Sequence, residues 1–212
     1  MKWEDTEEAD CLKKKVAKKK SSLERKVAKK QSKLDRKGLR AKKVKKIEGQ
    51  IAEYKVRISH LETSLADIEL LGKDENNTYA FNNISGGRHQ VRQGDDGIVY
   101  IDTSSDAMSI HEIAHVRQSL SNGGLQFSNE GLLYNVGVFA PTSKMAQTVS
   151  EMEIEAYRIQ YSYDRTFPGN SNSLQGIDVH SVGGIVDANG KHVYEVIHRY
   201  SDFLQKRSKL QK

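Results

Sequence analysis

Val44, Ile47, Ile51, Tyr54, Ile58, Leu61, Leu65 and Ile68 follow one another in alternating steps of three and four residues. That spacing is a heptad seam, so it predicts one long helix whose apolar stripe must be covered. The cover is a coiled-coil partner, the other arm of a helical hairpin, or the rest of the chain. Upstream, LKKKVAKKKSS (12–22), LERKVAKKQSK (23–33) and LDRKGLRAKKV (34–44) repeat at a period of eleven. Leu12, Leu23 and Leu34 open the units, and Val16 and Val27 follow four residues later. Eleven residues fill three turns at about 3.67 per turn, which keeps the stripe almost straight along a helix. Gly72, followed by KDENN, ends this region.

Beyond residue 72 the pattern becomes that of a mixed domain. RHQVRQ (88–93), GDDG (94–97) and IVYID (98–102) predict strand, turn and strand. Ser104 or Ser105 is suited to cap a helix running through HEIAHVRQSL, with Asp106 in its first turn and Asn122-Gly123-Gly124 as its stop. A second helix is expected over 143–161, and a loop at Pro168 and residues 169–176. A short strand is expected at GGIVD (183–187), with a turn at Asn189-Gly190. Val193, Val196, Ile197, Tyr200 and Leu204 predict a closing helix. The expected fold class is α+β, with a helical or coiled-coil arm over 1–72 and a small domain over 73–212.

Charge sharpens that division. Residues 1–71 hold 21 Lys/Arg against 12 Asp/Glu, a balance of +9, while 72–212 hold 13 against 16, a balance of −3. Between Cys11 and Lys46 there are 18 basic and 2 acidic residues. Such a segment suits an anionic polymer, an acidic membrane surface or a partner helix; equally, it serves as a solvated stalk. It lacks aromatic residues for stacking on bases, and its apolar stripe is thin for a membrane. The single cysteine, Cys11, excludes an internal disulfide. No apolar run approaches the ~20 residues of a membrane span. MKWEDTEEAD lacks the apolar core of a secretory signal, so the expectation is a cytoplasmic protein as synthesised, exported, if at all, by another route or within a larger assembly.

The chemistry concentrates in SIHEIAHVRQ (109–118). On a helix, His111 and His115 share one face, about 6 Å apart along the axis, and can both aim a ring nitrogen at one ion. Zinc takes such ligands at about 2.0–2.1 Å and keeps a position open for water. Glu112, offset by ~100°, lies beside the ion, where it can take a proton from that water and pass it to a leaving amine. The bland alternative is a helix with two satisfied core histidines.

This stretch resembles the H-E-x-x-H helix of zincin metallopeptidases. Ile110, Ile113, Ala114 and Val116 fit the buried helix of that family, while Arg117 stands where an apolar residue is common and suggests an exposed turn. Gln118 and Ser121 occupy the positions where the metzincin continuation has glycine and histidine, which excludes that branch. The gluzincin branch takes its third ligand from a glutamate on a later helix, and EMEIEAYRIQY (151–161) fits.

Met152, Ala156 and Ile159 predict the inward stripe of that helix. Glu155, at its edge, is the expected ligand, with Glu151 and Glu153 as alternatives. Where many gluzincins carry an aspartate four residues later, position 159 is Ile, so Asp102, Asp106 or a backbone carbonyl must support the first histidine. His180, Tyr157, Tyr161 and Tyr163 are candidate oxyanion donors. The family fold implies an edge strand for an extended peptide, with IVYID the candidate.

The resemblance thus implies a zinc-dependent peptidase, small for its class and of the effector or toxin kind, acting on a protein or peptide. The competing expectation is a non-catalytic binding or structural protein whose basic arm contacts nucleic acid, an anionic membrane or a partner helix, or self-associates.

Overall fold

A computed structural model describes residues 3–36, 38–129, 131–133, 142–169 and 171–210. The eleven-residue repeats form α1 (Thr6–Leu34), capped by the Asp5 side chain, which accepts from the Glu8 amide. The heptad seam forms α2 (Ala41–Lys73), which returns along α1 as the second arm of a hairpin. Leu12, Val16 and Leu23 of α1 are buried, as are Ile47, Ile51, Leu61 and Ile68 of α2. The two stripes therefore pack against each other.

Three strands follow: β1 (Tyr79–Asn83), β2 (Gln90–Gln93) and β3 (Val99–Thr103). In the sheet the order is β1-β3-β2, with β1 parallel and β2 antiparallel to β3. Gly97, at φ +81°, closes the GDDG turn by donating to the Gly94 carbonyl at 3.0 Å. IVYID is thus the central strand, paired on both sides, and cannot serve as the edge strand expected for a substrate. Its buried alternate positions, Val99 and Ile101, explain why: a strand this apolar is covered rather than left at a rim.

α3 (Asp106–Ser121) starts on Ser105, whose side chain accepts from the Met108 amide, and ends at Asn122 before Gly123 and Gly124, both at positive φ. A short antiparallel pair, β4 (Phe127–Ser128) and β5 (Gly131–Leu132), lies beside β2. α4 (Thr142–Asp164) packs against α2 and α3 on one side and against α5 (Val179–Gly183) and α6 (Glu195–Leu210) on the other. GGIVD does not form a strand of its own. α5 reaches Gly183, and only Val186 makes an isolated bridge, to His192.

The described residues form an α+β fold, and no helix among them is long and apolar enough to cross a membrane. One apolar core runs through Leu12, Val16, Leu61, Ile68, Tyr79, Ile101, Ile110 and Ala156, so it spans the hairpin, the sheet, α3 and α4. A division after residue 72 does not separate two cores. Trp3 joins the parts as well: its indole stacks on Phe81 at 4.8 Å and its Nε1 donates to the Ile68 carbonyl. Leu61→Ala, at a fully enclosed position, is expected to cost about 2–5 kcal/mol. Unfolding followed by Trp3 fluorescence and by helical circular dichroism should shift together. Two separate transitions would show instead that the hairpin is an independent unit.

Candidate metal centre

α3 is buried on nearly every side, so its polar side chains face protein rather than water. His111 (2 % exposed), His115 (5 %) and Glu112 (7 %) all lie on it. The third group comes from α4. That helix has two buried stripes, because it is wedged between two layers. Met152, Ala156 and Ile159 form one of them, the stripe expected from the sequence, and Ala156 and Ile159 join the main core. The other is Val149, Glu153, Tyr157 and Tyr161, spaced by four, whose apolar members join a second cluster with Ile177, Val182 and Ile197. Glu153 is the carboxylate in an otherwise apolar row, 1 % exposed.

His111, His115 and Glu153 converge. The two Nε2 atoms are 3.1 Å apart, and Glu153 Oε2 lies 3.7 Å from that of His111 and 3.6 Å from that of His115. A triangle of sides 3.1, 3.6 and 3.7 Å has a circumscribed radius of about 2.0 Å, so one point can lie at zinc-ligand distance from all three atoms. The donor set, two imidazoles and a carboxylate, is one that zinc accepts.

Glu155 is not at this centre, which corrects the expectation that it is the third ligand. Two residues along a helix turn the side chain by about 200°, so Glu153 and Glu155 face opposite ways. Glu155 accepts from Arg117 Nη2 and Gln118 Nε2, each at 2.8 Å. Glu151 is exposed and accepts from Gln147. A signal for Glu153 is present in the sequence as the four-residue spacing Val149-Glu153-Tyr157-Tyr161, but reading it requires knowing that both sides of α4 are covered.

Arg117 also departs from expectation. It is half-buried and pairs with Glu155 and with Asp67 of α2 (3.2 Å), so this turn is packed against the hairpin rather than exposed. Burial lifts Asp67 to about 6, against the downward pull of Arg117. The folded chain then holds this proton more tightly than the unfolded one. Its stabilising effect is fully present below about pH 4 and is lost as the pH rises through about 6, on the order of 2 kcal/mol after screening. Chemical denaturation of wild type and Asp67→Asn at pH 4 and pH 7 reads this as a stability difference that moves in favour of the variant with rising pH. An unchanged difference would contradict it.

Burial and the neighbouring His115 push the His111 imidazolium well below the usual histidine range. For His115, burial opposes the cation, but the Glu153 carboxylate beside it prevails and raises its affinity for a proton. His115 and Glu153 therefore favour each other's charged forms, while His111 stays neutral. Glu112 makes no hydrogen bond or ion pair among the described residues, and burial pushes it up to about 7. A carboxyl in that state takes up and gives back protons near neutrality, as a general base must.

The remaining candidates separate clearly. Tyr157 sits at the centre, its ring edge-on to His111 with centroids 4.5 Å apart and its hydroxyl 2.8 Å from that of Tyr194. Tyr161 donates to the Asn172 carbonyl and Tyr163 to Asp106. His180, on α5, faces α6, with Nδ1 2.6 Å from Ser201 Oγ. Asp102 is held by Asn82, Gln90 and Arg92, and Asp106 by Lys15 and Tyr163, so neither supports a histidine. Gln118 supports the second histidine instead, with its Oε1 2.8 Å from His115 Nδ1, while Gln160 lies beside the first, His111. Comparison with known proteins found no matching family model, curated protein or solved structure.

Proposed function

We propose that the chain is a zinc-dependent, zincin-like peptidase in which His111, His115 and Glu153 hold the metal and Glu112 is the general base. The observation that carries this reading is the convergence of the two Nε2 atoms and Glu153 Oε2 at the spacing a single zinc ion requires. When bound, zinc acidifies a water molecule and polarises the scissile carbonyl. Glu112 accepts the proton released as the new C–O bond forms and delivers it to the nitrogen as the C–N bond breaks. Tyr157, edge-on to His111, closes one side of the centre with an apolar ring. Protein purified without chelators is expected to cleave an unfolded protein substrate, to stop when zinc is removed and to resume when it is restored. Cleavage that survives complete removal of the metal would refute the proposal.

A second reading rests on the hairpin's far end. Residues 25–46 carry 12 basic residues and one acidic residue. Among the described residues, none of this stretch enters an ion pair or ranks with the exposed large apolar side chains. Uncompensated charge without apolar anchors favours a polyanion such as the phosphate backbone over an inserted membrane contact. Binding to duplex DNA should weaken linearly in log–log against salt, with a slope of about −0.9 per phosphate neutralised. Equal binding in low and in physiological salt would contradict this, and binding to acidic vesicles alone would reassign the surface.

A further inference from the structure

We infer that Gln118 is a positioning residue that favours the His115 tautomer with hydrogen on Nδ1, so that the unprotonated Nε2 of the neutral ring faces Glu153 and His111. This rests on the zinc reading for its purpose but not for its geometry. Gln118 is 5 % exposed, and each of its side-chain polar atoms is committed. The amide nitrogen donates to the Met152 carbonyl at 3.1 Å and to Glu155 Oε2 at 2.8 Å. Both partners are acceptors only, so that end of the amide must be NH₂. Its other end is then the oxygen, and it faces His115 Nδ1 at 2.8 Å. An oxygen there requires Nδ1 to carry the hydrogen, which leaves Nε2 of the neutral ring with its lone pair directed at the cluster.

The lock is anchored outside the centre. Glu155, the acceptor that orients the amide, is held by Arg117, and Arg117 by Asp67 of α2. A line of contacts therefore runs from the hairpin through Asp67, Arg117, Glu155 and Gln118 to His115. The carboxylate that the sequence offered as a metal ligand acts two groups away from the metal. It sets the direction of an amide, and the amide sets which imidazole nitrogen carries the hydrogen.

Long-range ¹H–¹⁵N NMR of His115 in zinc-free protein, at alkaline pH where the ring is neutral, tests this directly. Wild type is expected to show hydrogen on Nδ1. Gln118→Met, which keeps the length of the side chain and removes the amide, is expected to show a mixture with hydrogen on Nε2. Zinc affinity, measured by competition with a chromogenic chelator, should fall roughly 10–100-fold in Gln118→Met. Glu155→Ala, which leaves only the Met152 carbonyl to orient the amide, should lower it less. Hydrogen on Nε2 in the wild type would overturn the inference, and that measurement needs no variant to fold. An unchanged tautomer in folded Gln118→Met would overturn it too. Wild type with the Nδ1 tautomer but no affinity for zinc would sustain the lock and refute the metal reading instead.

Discussion

Glu153→Gln is expected to abolish stoichiometric zinc binding, while Glu155→Ala keeps one zinc per chain. The two carboxylates are separated by two residues and by about 200° of helix rotation, and only Glu153 faces the imidazoles. Glutamine at 153 preserves volume but removes the anion that closes the coordination triangle. It also leaves the buried imidazoles without their counter-charge. The loss should exceed the roughly 10–100-fold cost of removing a supporting group, which bounds the effect at Glu155 from above. Metal analysis after gel filtration of the two variants distinguishes them. Equal zinc content in both, or loss only in Glu155→Ala, would contradict the assignment.

Glu112→Gln is expected to lower peptide cleavage by about 10²–10⁴-fold and to leave zinc content unchanged. Glu112 is next to His111 in sequence yet has no partner among the described residues, so glutamine disrupts no contact that holds the helix. It also relieves the burial of a carboxylate, so the variant should be at least as stable as the wild type. Thermal unfolding and zinc content, read beside the rate, separate a chemical defect from a structural one. A variant as active as wild type would remove Glu112 from the mechanism, and an inactive variant that had also lost its zinc would make Glu112 part of the support of the site.

Elements with strong local signals were legible from the residues alone. The heptad seam gave α2, the eleven-residue repeats α1, and Ser105 with Asn122-Gly123-Gly124 both ends of α3. The pairing of His111 with His115 follows from helix geometry and needed no tertiary information. What failed depended on packing. The heptad seam alone allows three covers, and tertiary contacts supply two of them: α1 along the hairpin, and the sheet, α3 and α4. β1 (Tyr79–Asn83) carries too short an alternation to stand out from a polar stretch. IVYID read as a strand, but its central position follows from pairing on both sides, which no strand announces by itself. The sequence favours Glu155 over Glu153 because Met152, Ala156 and Ile159 mark a single inward stripe on α4. With α5 and α6 on its other side, the helix buries a second row, and the carboxylate in that row meets the histidines.

Where a zinc ion goes when it is offered tests the metal centre most directly. Crystals of the chain grown or soaked with zinc, measured on either side of the zinc absorption edge, are predicted to show one strong anomalous peak. It should lie about 2.0–2.1 Å from His111 Nε2, His115 Nε2 and a Glu153 oxygen. A peak elsewhere, with these three side chains unmoved and no density between them, would contradict it.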